Sequence, residues 1–94
     1  MIALAEACWV VEHGKSAIPS VANLLADVDA DPRIILVPLD RPILERSLSL
    51  TAISEMHDRQ IVATALHLAR PATAVAVVTI DPNIVASGLV PTVW

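Results

Sequence analysis

Apolar residues recur along this chain in two patterns, one typical of helices and the other typical of buried strands. Helical spacing predicts four main helices, at residues 2–13, from Pro19 to the acidic stretch 27–32, from Asp40 or Arg41 to residue 50, and from His57 or Asp58 to Pro71. Continuous apolar runs predict strands at residues 34–37 and 74–80, and residues 91–94 are interpreted as a terminal edge strand. Asp81 is a predicted N-cap followed by Pro82, and Ser87-Gly88 ends that short helix.

The order of these elements predicts an α/β fold in one domain, residues 1–94. Strands that are apolar on both faces and alternate with helices are typical of a parallel sheet covered by helices on both faces. In such sheets, active residues gather beyond the carboxyl ends of the strands, where Asp81 is expected. A helix N-terminus in a right-handed crossover can face the same edge, which is the position predicted for Asp58.

The apolar spacing also predicts which residues face the core. The first helix is apolar around nearly its whole circumference and is therefore predicted to be buried. For the next helices the predicted inner faces are Ile18, Val21, Leu24, Leu25 and Val28; Ile43, Leu44, Leu48 and Leu50; and Ile61, Val62, Ala65, Leu66 and Ala69.

One acid, Glu6, interrupts the apolar first helix. A buried carboxylate is costly unless it is paired or bound to a metal. The alternative is that Glu6 lies on a solvated stripe, and the residues alone leave both interpretations open.

Composition narrows the class of protein. The chain is 55% apolar and 17% charged, yet charges and prolines interrupt every run well before the ~18 apolar residues that a membrane span needs. Residues 1–11 lack a basic start and contain Glu6, so they make a poor signal peptide, and a cytoplasmic location without membrane contact is expected.

A single cysteine, Cys8, excludes an internal disulfide framework and a thiolate zinc cluster. The net charge of −4 argues against charge-driven nucleic-acid binding, but not against an enzyme that meets phosphate through bound cations.

Ordinary structural roles are available for most of the polar residues. Asp81 as an N-cap and Asp58 as an acid in the first turn of a helix are both common. His57 is interpreted as a helix-start residue rather than a general base, and Thr79 as a strand residue rather than a phosphate ligand. The acidic stretch 27–32 lacks the glycine and final glutamate of an EF-hand and is predicted to be a solvated loop.

Taken in order, four parts of the chain resemble a PIN domain, specifically the VapC-type toxin ribonucleases. They are residues 2–6 with 9–15; residues 33–39; Met-His-Asp-Arg at 56–59 with Ile-Val-Ala-Thr-Ala at 61–65; and residues 78–81 with 87–90 and 92–94. The piece around Asp58 is the most specific of these. The resemblance implies an Mg²⁺- or Mn²⁺-dependent endoribonuclease, with Glu6, Asp58 and Asp81 as catalytic and metal-binding acids, RNA as substrate and an antitoxin protein as partner.

The same resemblance implies that the chain is N-terminally truncated. PIN domains begin with a strand that ends in a first acid, and neither that acid nor the first two strands has a counterpart in these residues. We therefore expect a partial PIN-like sheet, little or no nuclease activity, and a homodimer or higher association through open strand edges. The alternatives are a non-catalytic remnant and a protein-binding or self-associating module.

Overall fold

The computed structural model describes residues 1–71 and 73–94, and shows a mixed α/β protein. About half of the described residues are helical. In chain order the elements are α1 (Ile2–Glu12), α2 (Val21–Ala30), α3 (Arg41–Leu48), α4 (Met56–Leu68), β1 (Val77–Val78), α5 (Pro82–Ser87) and β2 (Thr92–Val93). The mixed α/β class is therefore confirmed, although the sheet in the described part has only two strands.

The chain divides into two compact units, Met1–Pro38 and Leu39–Trp94. In the first unit, α1 packs against α2. Ser20 caps α2, because its extended backbone turns into the helix and its hydroxyl oxygen accepts the backbone N–H of Asn23 at 3.1 Å. The prediction that Pro19 lies in the first turn is wrong, since the helix begins after Ser20. Residues 27–30 are the last turn of α2 rather than a loop, and Asp31 is its C-cap.

The burial predicted for the first unit is wrong for α1. Val11 is the only residue of this helix that is buried, and half of the Trp9 surface is exposed. In α2 no residue is fully buried, although Val21, Leu24 and Val28 of the predicted face are half-buried. An all-round apolar helix needs neighbours on every side, and within this unit α1 packs on a single helix.

The predicted strand at residues 34–37 is not formed. These residues lie outside every helix and strand, and the Ile35 side chain is 82% exposed. The chain's N-terminal ammonium group donates to the Val37 carbonyl oxygen at 2.9 Å, which anchors the end of the segment. An apolar run becomes a buried strand only when neighbouring strands supply hydrogen bonds and helices supply cover.

The core of the second unit lies between α3 and α4, the most extensively packed pair of helices in the described part. Ile43, Ile53, Val62 and Ala63 are fully buried there. Asp40 caps α3 by accepting the Ile43 N–H at 3.1 Å, as the predicted start of this helix required.

The inner face predicted for α3 agrees with the structure at some positions and is wrong at others. Ile43 and Leu50 are buried, whereas Leu44 and Leu48 are exposed. Ser47 takes the buried position, and its hydroxyl donates to the Leu44 carbonyl oxygen at 2.6 Å. That hydrogen bond lets a small polar residue enter the core, which apolar spacing does not indicate.

The inner face predicted for α4 is closer to the structure. Val62 and Ala65 are buried and Ile61 and Leu66 are half-buried, but Ala69 is exposed. The buried residues of α4 that the prediction missed are Gln60 and Ala63.

The strands β1 and β2 pair in parallel, with Val77 opposite Thr92 and Val78 opposite Val93. The predicted strand at residues 74–80 is thus shortened to two residues, and the predicted terminal strand is confirmed as Thr92–Val93. The two faces of β1 differ, since Val77 is buried and Val78 is 71% exposed, so the prediction of a strand buried on both faces is wrong.

Between the strands, α5 begins at Pro82 after its cap Asp81 and ends at Gly88, whose φ of +65° is left-handed. Both signals were predicted.

Among the residues described, no helix is long and apolar enough to cross a membrane.

Candidate acidic site

The N-terminus of α4 is closed by a carboxylate. Glu55 has an extended backbone, and its Oε2 accepts the Asp58 N–H at 2.9 Å. The helix therefore begins at Met56, one or two residues earlier than predicted. Glutamate is an uncommon cap, so its capping role at position 55 was not predictable from residue type.

The Glu55 carboxylate is held in its ionised form. Backbone N–H groups of Asp58 and His57 donate to it and lower the pKa of Glu55 below its usual value, and the nearby His57 ring adds a smaller effect in the same direction. The His57 Nδ1 lies 3.8 Å from the Glu55 Oε1. His57 thus belongs to the cap, in agreement with its interpretation as a helix-start residue.

Asp58 lies in the first turn of α4 and is half-buried. Beside it, the Arg59 guanidinium Nε donates to the Ile53 carbonyl oxygen, and the Ile53 side chain is fully buried. This bond ties the loop before α4 to the helix. Asp58 is consequently carried by a helix start that is fixed by both a cap and a loop contact.

Asp81 follows β1 at its carboxyl end. Its Oδ1 accepts the Asn83 N–H at 2.8 Å and so caps α5, while its own N–H donates to the Thr79 Oγ1 at 3.0 Å. Thr79 lies just after β1 rather than within it, and its hydroxyl oxygen fixes the backbone at Asp81. The half-buried Asp81 carboxylate is held at the end of a parallel strand, the place expected from the sequence.

Glu6 lies on α1 and is exposed to solvent. An exposed carboxylate keeps its hydration, so the cost of burial gives no reason for a metal beside it. The exposure of Glu6 favours the interpretation that this residue lies on a solvated stripe of α1. Glu6 belongs to the unit Met1–Pro38, and Asp58 and Asp81 belong to the unit Leu39–Trp94.

Within residues 1–71 and 73–94, no three histidine, cysteine, aspartate or glutamate side chains come together as a metal-binding group. The metal-binding role of Glu6, Asp58 and Asp81 stays a prediction.

Comparison with known proteins adds no relative. No protein-family model matches the chain, and no curated protein or solved structure matches it. The functional assignment therefore depends on the residues and the geometry described above.

Proposed function

We propose that this chain has the architecture of a PIN-type, Mg²⁺-dependent endoribonuclease of the toxin–antitoxin class, and that these 94 residues alone are impaired in catalysis. The proposed fold is a partial PIN-like parallel sheet with helices on both faces. The proposed catalytic and metal-binding acids are Glu6, Asp58 and Asp81. The proposed substrate is RNA, and the proposed partner is an antitoxin protein. Mg²⁺ or Mn²⁺ in such a site would supply charge stabilisation and an acidified water.

The observation that carries this proposal is the position of Asp81. It follows the parallel strand β1 after Thr79 and Ile80, and it caps the helix α5, which leads to the parallel strand β2. Acids at the carboxyl ends of parallel strands are well placed to act on a ligand. The capping bond uses the Asp81 Oδ1, and among the described residues no hydrogen bond is made by Oδ2, so one oxygen remains for a cation.

The environment of Asp58 supports the same proposal. Its backbone is fixed by the Glu55 cap, and α4 is anchored by its packing against α3. A rigid support of this kind is what a metal-binding carboxylate requires. A half-buried position also strengthens the attraction between a carboxylate and a cation relative to full exposure.

The proposed loss of catalytic activity follows from the set of acids, which lacks one member of the family pattern. The family pattern uses an additional acid on its first strand, and the described part of the chain contains no formed group of three metal-binding side chains. Losing outer-shell partners alone weakens metal sites by ~10–100-fold, and losing a ligand is expected to be at least as severe.

A nuclease assay tests the level of activity. The purified chain is incubated with fluorescent single-stranded RNA and Mg²⁺ beside the Asp58→Asn variant, and we expect both to cleave at the same background rate. Mg²⁺-dependent cleavage that Asp58→Asn abolishes would show that the chain is a competent ribonuclease and that the impairment is wrong. Absence of both cleavage and saturable Mn²⁺ binding would overturn the nuclease assignment.

The second candidate is a non-catalytic, self-associating module. The observation that favours it is the number of large apolar side chains left exposed, which include Ile35, Val78, Ile80 and Trp94. Proteins that expose contiguous apolar surface commonly use it for association.

A further inference from the structure

A tryptophan lies on the exposed side of α1. Trp9 is 50% exposed, and the residues about one turn before and after it, Glu6, Glu12 and His13, are exposed as well. Residues three and four positions apart are neighbours on a helix surface, and we call these four residues the Trp9 stripe. Tryptophan is mostly buried in folded proteins and is enriched among the residues that dominate protein interfaces. The Trp9 stripe therefore has the character of an interaction surface.

The indole of Trp9 is held in place by His13, the C-cap residue of α1. The two rings stack with their centroids 4.0 Å apart and their planes at 25°. The His13 Nδ1 lies 2.7 Å from the Trp9 carbonyl oxygen, and this nitrogen is the donor because a carbonyl oxygen only accepts. An indole that is supported in this way loses little conformational freedom when a partner binds.

A cation already lies over the Trp9 ring. The Lys15 ammonium nitrogen is 5.0 Å from the ring centroid, within the ~6 Å range of cation–π attraction. Lys15 is exposed, and a cation–π contact at an exposed site is weak. The ammonium group is also strongly hydrated. Lys15 therefore shows which sign of charge the ring attracts, and a cation that binds the ring more tightly would displace it.

The acids of the Trp9 stripe favour the same sign of charge. Glu6 precedes Trp9 by three positions and Glu12 follows it by three, so a carboxylate lies close to the ring along the helix on each side. Two carboxylates beside the indole repel an anionic ligand such as a nucleic-acid phosphate. A guanidinium group is complementary to this arrangement, because its planar face stacks on an aromatic ring while its N–H groups pair with a carboxylate.

We propose that the Trp9 stripe binds an arginine side chain of a partner protein, which replaces Lys15 over the indole and pairs with the Glu12 carboxylate. Arginine is better suited than lysine, because guanidinium is more weakly hydrated than ammonium and stacks on aromatic faces. Small molecules bind in concave sites, whereas the stripe is the outer surface of a helix. The arginine is therefore presented by a polypeptide, and arginine and tryptophan are both frequent interface hot spots.

This interaction goes beyond the proposed ribonuclease function. Its test changes Trp9, Glu12 and Lys15, and none of these residues belongs to the proposed metal-binding acids. Glu6, which belongs to both proposals, is left unchanged. Failure of arginine binding and failure of Mn²⁺ binding are therefore separate results.

Titration with an arginine peptide tests the proposal. The probe is acetylated and amidated hexa-arginine, added at physiological salt so that distant charges are screened. The chain has two tryptophans, so in a Trp94→Phe variant the fluorescence reports on Trp9 alone. We expect a saturable change in this fluorescence and a higher Kd for hexalysine, which carries the same charge. No saturable change, or equal Kd values for the two peptides, overturns the proposal. Quenching by single-stranded RNA instead of hexa-arginine also overturns it.

Substitutions on the stripe locate the binding site. Isothermal titration calorimetry of the full chain is expected to show that Trp9→Ala raises the Kd for hexa-arginine at least about tenfold. Glu12→Gln is expected to raise the Kd as well, because the carboxylate partner is lost. Asp29→Asn is the matched control, since it removes one exposed carboxylate from α2 and should leave the Kd unchanged. Equal effects of Glu12→Gln and Asp29→Asn contradict binding at the stripe.

Lys15→Ala gives an answer even if Trp9→Ala fails to fold. Removal of the competing ammonium group is expected to lower the Kd for hexa-arginine. Arg46→Ala is the control, because it removes an exposed cation from α3 and should lower the Kd less. A Kd that Lys15→Ala raises, leaves unchanged, or lowers no more than Arg46→Ala does would overturn the proposal.

Discussion

The Glu55 carboxylate accepts the backbone N–H of Asp58 at 2.9 Å, so the proposed metal-binding acid is preceded by an acid with a different task. Glu55 stabilises the start of α4 through its side chain, whereas Asp58 takes part in this bond through its backbone N–H. The roles of these two neighbouring acids can therefore be tested separately by mutating each one.

Replacing Glu55 with alanine is expected to destabilise the protein, because the side chain that accepts the Asp58 N–H at the start of α4 is lost. Urea unfolding followed by far-ultraviolet circular dichroism measures this change. Glu55→Ser is the control, because serine is a preferred cap and should restore most of the stability. Equal losses in the two variants would show that Glu55 does not act as a cap.

The Glu55 cap also predicts that the stability of the folded chain depends on pH. The pKa of Glu55 is lowered in the folded chain by the N–H groups of Asp58 and His57, so folding favours the ionised carboxylate. The stabilisation is complete above the unfolded pKa of about 4.3 and is lost as pH falls through the lower folded pKa. Acid titration of helicity should therefore show a smaller loss in Glu55→Ser than in the native chain. Identical acid titrations would contradict the ionised cap.

Asp81 provides a test that separates capping from metal binding. Asparagine caps helices about as well as aspartate, so Asp81→Asn should leave the unfolding free energy almost unchanged, whereas Asp81→Ala should lower it by about 1 kcal/mol. Only the charge is lost in the asparagine variant, and any Mn²⁺ affinity should fall with it. If Asp81→Asn binds Mn²⁺ like the native chain, Asp81 is a cap and nothing more.

Gly88 ends α5 with a φ of +65°, a conformation that side chains with a Cβ adopt at a cost. No atom lies within 4 Å of an added Cβ, so the expected loss comes from the backbone alone. Gly88→Ala should destabilise the chain by about 1 kcal/mol in urea unfolding. Gly88→Asn is the control, because asparagine tolerates left-handed backbone better, and it should lose less. The reverse order would contradict the left-handed helix end.

The features that were predictable from sequence are those set by neighbouring residues. Asp81, Pro82 and Gly88 delimit α5 through their own backbone preferences and capping groups, and Asp40 does the same for α3. Pro19 was misleading because Ser20, one residue later, makes the capping bond.

Features that depend on distant partners were not predictable in the same way. An apolar run at residues 34–37 indicates a strand, but no local signal says whether another strand lies beside it. Spacing placed Leu48 inward, whereas the structure buries Ser47 through a hydrogen bond to its own helix. For the candidate site, Asp58 and Asp81 lie at the predicted helix start and strand end, while the exposure of Glu6 could not be read from an apolar helix.

We propose above all that Asp58 and Asp81 bind a divalent cation. Its most direct test is titration of the purified chain with Mn²⁺, followed by electron paramagnetic resonance of the free ion. We predict saturable binding that Asp58→Asn weakens at least about tenfold, the size of effect expected for a lost metal partner. Asp29→Asn, which removes an exposed acid from α2, should leave the binding unchanged. Absence of saturable binding, or equal weakening by both substitutions, would contradict the claim.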